Sequence, residues 1–263
     1  MQVIPLGTNG FFPSFGRQTM CFAVPLGKTL IILDAGSGLF RLAEPIGKKL
    51  LVGVDTIHLY LSHYHLDHTF GFYAAFDLFR GKNVIVYAKS GRQVFSEFVR
   101  IEHFPVDYQR KHRNFTWVQI EEREYNQKDY KYKVRRQKHR DETSLGFRFE
   151  FENGKSLAYL TDTEPTLESI NFIKGVDLLM HEHDTAKTAK ASSLSALKNL
   201  ISQGGHVTTQ GAALIAKEAE VGKLALIHHY PFNDNNKLKG QLRIAKKIFQ
   251  QTDLASDLKR INF

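Results

Sequence analysis

The chain has 263 residues, 42% of them hydrophobic and 24% charged, with glycine and proline scattered rather than clustered. This is the composition of a folded globular protein with one large core or at most two small ones, and it excludes a disordered chain. The formal charge of +9 would draw in phosphate-bearing partners but selects none of them.

In chain order, "QVIPLGT", "QTMCFAVPLG" and "TLIILDAG" read as short strands joined by glycine turns. "DTIHLYLSH" is a further strand, and "TFGFYAAFDLFRG" carries apolar residues at helical spacing up to a glycine stop. "NVIVYA" is strand-like and "SGRQVFSEFVRIEHF" helical, and "FTWVQI" and "YKYKV" are strands around a polar, basic segment. That segment, residues 109–140, holds eleven Lys/Arg against four Asp/Glu, a net of +7. It reads either as a solvated face around a loop or as a grip for phosphates. "LGFRFEF", "SLAYLTD" and "VDLLMHE" are three more strands; "TAKASSLSALKNLISQGG" and "TTQGAALIAKEAEVG" are helices stopped near glycine. "KLALIHHYP" is a buried strand, and "NKLKGQLRIAKKIFQQT" a closing amphipathic helix. Strands and helices in this alternation suggest sheets covered by helices. No run reaches the roughly 18 apolar residues of a membrane span. "MQVIPLGTNG" lacks the zones of a secretory leader, so no membrane partner and a cytoplasmic location are expected.

Chemistry concentrates at strand ends. "LYLSHYHLDHTFG" places His63, His65, Asp67 and His68 within six residues after an apolar strand. Alternation along an extended tip points His63 and His65 to one side, and the following turn can bring Asp67 and His68 to the same cavity. Asp67 could instead cap a helix beginning near Thr69. Asp162 ends "SLAYLTD", His228 ends "KLALIHHYP", and His139 closes the basic segment. Cys21 is the only cysteine, so any metal must be held by imidazole and carboxylate. Seven such residues exceed the four donors of one tetrahedral zinc, and two divalent cations are the natural accounting. Zinc is the first choice, with manganese or iron as alternatives.

"SHYHLDH" matches the HxHxDH signature of the metallo-β-lactamase superfamily. With "LGTNG", "IILDAGSG", "YLTDTE" and "GGHVTTQGAALIAKEAEVGKLALIHHYP", the chain resembles the phosphodiesterase branch that also contains ribonuclease Z. The resemblance implies an α/β fold, a four-layer αββα sandwich, as a single hydrolase domain over residues 1–263. It implies that His63, His65 and His139 hold one metal, that Asp67, His68 and His228 hold the other, and that Asp162 bridges them. His139 is followed by "RDETSLGF" rather than the family's Pro/Gly-rich turn; His103 and His112 are poorer alternatives because neither leads into the matching strand. Asp67 and His206 are the implied catalytic residues, the first orienting or deprotonating a metal-bridging hydroxide and the second donating a proton to the leaving group or stabilising the oxyanion. Thr208 or Thr209 could cap the helix that follows His206. His181, Glu182 and His183 could orient ligands or line the cleft, and His229 should point elsewhere.

The function expected is metal-dependent hydrolysis of phosphodiester bonds in a small molecule or nucleotide, with RNA processing of the ribonuclease Z type as one alternative. The glycine-rich RNA-clasping insertion of ribonuclease Z is not identifiable. A non-enzymatic metal- or nucleic-acid-binding module is the other alternative, and a homodimer is left open. "DAGSGLF" lacks the lysine and glycine spacing of a P-loop and reads as a tight turn near the metal edge.

Overall fold

The structure is a computed structural model and describes residues 1–91, 113–184, 201–202 and 205–263. Strands β1 (Gln2–Gly7), β2 (Cys21–Leu26) and β3 (Thr29–Leu33) form an antiparallel meander. A 3₁₀ helix (Ser37–Ala43) and α1 (Pro45–Leu50) cross to β4 (Thr56–Tyr60). Helices α2 (Leu66–Thr69) and α3 (Phe72–Leu78) then lead to β5 (Asn83–Ala88), and β6 (Phe115–Gln119) follows. Strands β3 to β6 are parallel neighbours. The second sheet begins with β7 (Glu124–Asn126), β8 (Tyr130–His139) and β9 (Glu142–Phe151), and continues through β10 (Ser156–Leu160), α4 (Leu167–Ile173) and β11 (Leu178–Glu182). A short pair, β12 (Ile201–Ser202) with β13 (His206–Val207), precedes α5 (Thr209–Glu218), β14 (Lys223–Ile227), α6 (Asn235–Ile248), β15 (Thr252–Leu254) and β16 (Ile261–Asn262). Among the described residues the two large sheets run β16-β1-β2-β3-β4-β5-β6 and β15-β14-β11-β10-β9-β8-β7.

The side-chain alternation of the strands builds the layers. In β3, Ile31 and Leu33 enter the core shared with the second sheet, while Leu30 and Ile32 pack outward with Leu39, Phe72 and Phe79 from the helical layer. In β10, Leu157 and Tyr159 face the first sheet, and Ala158 and Leu160 face Ala212 and Ile215 of α5. Both faces of these strands are buried, which is why they read as unbroken apolar runs. Three apolar layers between four structural ones make the αββα sandwich. No described helix is long and apolar enough to cross a membrane.

Four local expectations change. The helix expected over "TFGFYAAFDLFRG" starts earlier and is split into α2 and α3, because Gly71 lies against the turn after β3. Its N–H donates to Ala35 O at 2.7 Å, and a β-carbon there would sit 2.5 Å from Gly36 O. Asp67 lies inside α2, which has no side-chain cap, so the carboxylate is not spent on capping. The basic segment is largely strand: in "YKYKVRRQKH" Tyr130, Tyr132 and Val134 are buried, while Lys131, Lys133 and Lys138 turn outward to Glu150, Glu124 and Glu164 at 2.9–3.2 Å. Three of its lysines are thereby paired with carboxylates. Finally, Ile201–Ser202, expected at the end of a helix, is a strand paired with His206–Val207. The remainder of that helix, the helix over "SGRQVFSEFVRIEHF", His103 and His112 lie outside the described residues.

Candidate metal centre

Parallel strands of both sheets end on one edge, the place where such sheets present ligand sites. The residues just past β3, β4, β10 and β14 are Asp34, the His63–His68 turn, Asp162 and His228. Asp34, Asp162 and His228 each adopt left-handed backbone, with φ of 57°, 48° and 57°. Three non-glycine residues in that sparsely populated region on one edge mark a site where placement of the side chain outweighs backbone cost.

The donor atoms form two groups. One atom each from His63, His65, His139 and Asp162 lie within 4.8 Å of one another, as do those of Asp67, His68 and His228. Asp162 stands between the groups. Its Oδ1 is 3.8 Å from His63 Nε2 and 3.6 Å from His139 Nε2, whereas Oδ2 is 3.2 Å from His68 Nε2 and 3.4 Å from His228 Nε2. Asp67 Oδ2 completes the second group at 3.4 Å from His68 Nε2 and 3.3 Å from His228 Nε2. His206 also reaches this edge, within 4.8 Å of donor atoms of Asp162 and His228. All seven ligands expected from the sequence, and His206, are thus brought to one place.

The donors fit divalent cations on their hydrogen bonding. His63 Nδ1 meets Ser62 Oγ at 3.0 Å, His68 Nδ1 donates to Asp34 Oδ2 at 2.7 Å, and His139 Nδ1 donates to Gly205 O at 3.2 Å. Each outer nitrogen is occupied, which turns the Nε2 lone pair inward. Nε2 of His63 and His68 are buried with no hydrogen-bond partner among the described residues. Burial drives His63 well below the ordinary imidazole value, so it stays neutral and able to coordinate. Burial opposes ionisation of Asp162 and Asp67, but the surrounding imidazoles outweigh it and hold both carboxyls well below the usual range. Converging imidazoles and carboxylates, two of the imidazoles with a buried Nε2 that no hydrogen bond occupies, are a zinc-type donor set.

Two supporting carboxylates complete the edge. Asp34 escaped the sequence reading, where "DAGSG" looked like a turn. It is fully buried and accepts from His68 Nδ1, from Ser62 N at 2.7 Å, from Ser62 Oγ at 2.8 Å and from Tyr159 Oη at 2.6 Å. Glu182 accepts from His206 Nδ1 at 2.6 Å and from Thr163 N at 2.5 Å. Burial pulls the His206 pKa down, but Glu182 beside it outweighs this and pushes it up to about 9. His183 and His229 turn away from the clusters into a chain of their own. Thr209 Oγ1 meets His183 Nδ1 at 2.9 Å, His183 Nε2 meets His229 Nδ1 at 2.9 Å, and His229 Nε2 donates to Ala255 O at 2.8 Å. His181 bonds the Glu182 carbonyl and does not reach either cluster. Thr208 caps α5, accepting from Gly211 N, so His206 is free of that duty.

The altered turn after His139 is a two-residue hairpin, Arg140–Asp141, with Arg140 at φ 52°. It sets His139 opposite Glu142, whose carboxylate is 3.0 Å from His65 Nε2. Both clusters open into a cleft of about 860 Å³, whose lining includes Arg140, Glu142, Phe11, Leu66 and Tyr230.

A family model described as a beta-lactamase superfamily domain matches residues 29–229. Ribonuclease BN of Escherichia coli is 38% identical over 111 residues, which is 41% of this chain and 33% of that protein. The chain thus spans about a third of the length of the curated relatives it matches. The metallo-beta-lactamase fold protein YhfI from Bacillus subtilis superposes with a TM-score of 0.72 at 18% identity, over 99% of this chain and 98% of its own. The short form of human tRNase Z gives 0.68 at 20% over 100% and 99%, and a diphosphatase of the PhnP family gives 0.69 at 18% over 100% and 96%. At these identities the solved structures establish the fold. With the family match over most of its length and two clusters of metal-ligating side chains at the sheet edge, the chain belongs to the metallo-β-lactamase superfamily.

Proposed function

We propose that this chain, acting as one hydrolase domain over residues 1–263, cleaves phosphodiester bonds with two divalent cations, zinc by preference. The observation that carries the reading is Asp162, which turns one carboxylate oxygen to each cluster. His63, His65 and His139 would hold one cation, and Asp67, His68 and His228 the other. Such a pair supplies a nucleophile from water at neutral pH and neutralises charge on phosphoryl oxygens. The chain's own groups supply the rest. Asp67, fixed by the Phe11 N–H at 2.7 Å, orients the attacking oxygen and takes up its proton. His206 has its Nδ1 held by Glu182, so Nε2 is the atom that gives a proton to the departing oxygen. Arg140 has no ion pair among the described residues and adds positive charge at the cleft wall for an anionic substrate.

The test is turnover by the zinc-loaded protein of an aryl phosphodiester, a nucleoside cyclic phosphate, a short RNA and a β-lactam. Turnover confined to the phosphorus esters supports the reading; hydrolysis of the β-lactam alone, or of none, rejects it. His206→Ala should keep its metals and lose about 10²–10⁴-fold with a poor leaving group, but less with an activated aryl one. Equal losses on both would assign His206 to phosphate stabilisation instead.

A further inference from the structure

The cleft has an apolar wall that the hydrolytic chemistry does not use. Phe11 is 74% exposed and lines the cleft beside the clusters. Its ring stands edge-to-face on Phe12 with centroids 5.2 Å apart, Phe12 stands likewise on Phe232, and Phe232 meets Tyr230 at 5.4 Å. Tyr230 lines the cleft as well, and Phe232 is 58% exposed. Three exposed rings, Phe11, Phe232 and Tyr230, joined through the half-buried Phe12, form a patch of the kind that marks an interaction site.

The loop carrying Phe11 is fastened to the catalytic edge. Phe11 sits at φ 61°, a conformation bulky residues rarely adopt. Its N–H donates to Asp67 Oδ2, Gly10 N donates to His229 O at 3.0 Å, and a β-carbon on Gly10 would strike the His228 ring. Asn9 ties the loop from within, to Ser14 Oγ at 2.9 Å and from Arg17 Nε at 2.6 Å. The backbone that carries the ring is thus pinned to the edge beside Asp67, which presents Phe11 from a fixed mount rather than from a loose loop.

We infer that Phe11, backed by Phe12, Phe232 and Tyr230, is a stacking wall for a nucleobase attached to the phosphodiester in the cleft. This rests on the phosphodiesterase reading and narrows its substrate to nucleoside-bearing esters. A planar base is the matching occupant because the wall is aromatic and faces the place where its phosphate would lie, and every base offers a π-face to such a ring.

The test is calorimetric binding to zinc-loaded wild type, Phe11→Ala and Phe11→Trp, with adenosine 5′-monophosphate, ribose 5-phosphate and inorganic phosphate as probes. Wild type should prefer the adenosine compound to ribose 5-phosphate by on the order of 10-fold, the usual effect of one stacked base. Phe11→Ala should lose that preference while phosphate binding and zinc content stay at wild-type values, and Phe11→Trp should keep it. Equal affinities of wild type for the two sugar phosphates, with inorganic phosphate still bound, would overturn the stacking wall and leave the phosphodiesterase reading standing. Failure to bind any of the three would overturn both. A change from dimer to monomer in Phe11→Ala, with nucleotide binding unaltered, would also overturn the inference and assign the rings to a second copy of the chain.

Discussion

Replacing Glu182 by glutamine isolates the group that sets the proton on His206. The amide keeps the shape of the side chain and can still accept from Thr163 N, but it removes a fully buried charge 2.6 Å from His206 Nδ1. In the native arrangement burial drives His206 down, while the charge and hydrogen bond of Glu182 lift it from 6.5 to about 9. At 1.36 kcal/mol per pH unit, that rise is worth about 3 kcal/mol in favour of the protonated ring. Without Glu182 only the weaker pulls of Asp162 and Asp184 remain against burial, so the pKa should fall by about two units or more. Bound cations lower it in both proteins alike, and the measurement reads the displacement between them. A general acid must enter protonated, so kcat/KM falls as pH rises through this pKa. Profiles from pH 6 to 10 on a phosphodiester with a poor leaving group, at saturating zinc and matched metal content, should show the alkaline limb of Glu182→Gln about two pH units lower. Coincident limbs, or a limb moved upward, would refute the assignment of His206 as a proton donor tuned by Glu182.

Asp34→Asn places an amide donor among buried donors from Ser62, Tyr159 and His68. It should cost about 2–5 kcal/mol in urea denaturation and weaken the second-site metal about 10- to 100-fold by titration; unchanged values for both would contradict the supporting role. Gly10→Ala puts a β-carbon 2.3 Å from a His228 ring atom, so His228 must move. Turnover should drop on the order of 10²-fold, the scale of a small misplacement, with a weaker second metal equivalent; wild-type kinetics would show that the ring has room. Burial holds His229 down to about 4, while the unfolded chain takes up that proton near 6.5. Its contribution to stability is therefore complete above pH 6.5 and is lost as pH falls toward 4, by about 1.4 kcal/mol per unit. Burial lowers His183 and His58 with the same sign. The urea midpoint of zinc-free protein should fall between pH 6.5 and 4.5, and a flat midpoint would be contrary.

The placement of His63, Asp162 and His228 was legible because each follows an apolar run, and parallel strands of a layered sheet end on a common edge. Asp34 was not, because its meaning depends on pairing across the chain: β3 lies parallel to β4 with Leu33 opposite Tyr60, and only that register brings Asp34 to Ser62 and His68. Glu182 was visible as one of three polar residues ending β11, and strand alternation separates it from His181 and His183. Which side faces the site could not be read until the layers were known. The break at Gly71 has no local signal, since apolar spacing continues through it; the cause is a turn more than thirty residues earlier. The lysine-rich segment misled because its charge suggested a loop, although "YKYKV" already carried the period-two pattern that continues to His139.

The central claim is that the two clusters act together through Asp162 as one hydrolytic centre. Stripped protein titrated with zinc, with bound metal and phosphodiester turnover read in the same samples, tests it most directly. Two equivalents should bind per chain, turnover should reach its maximum as the second is filled, and both properties should be lost in Asp162→Ala. Saturation at a single equivalent, or turnover that persists in metal-stripped protein, would contradict it.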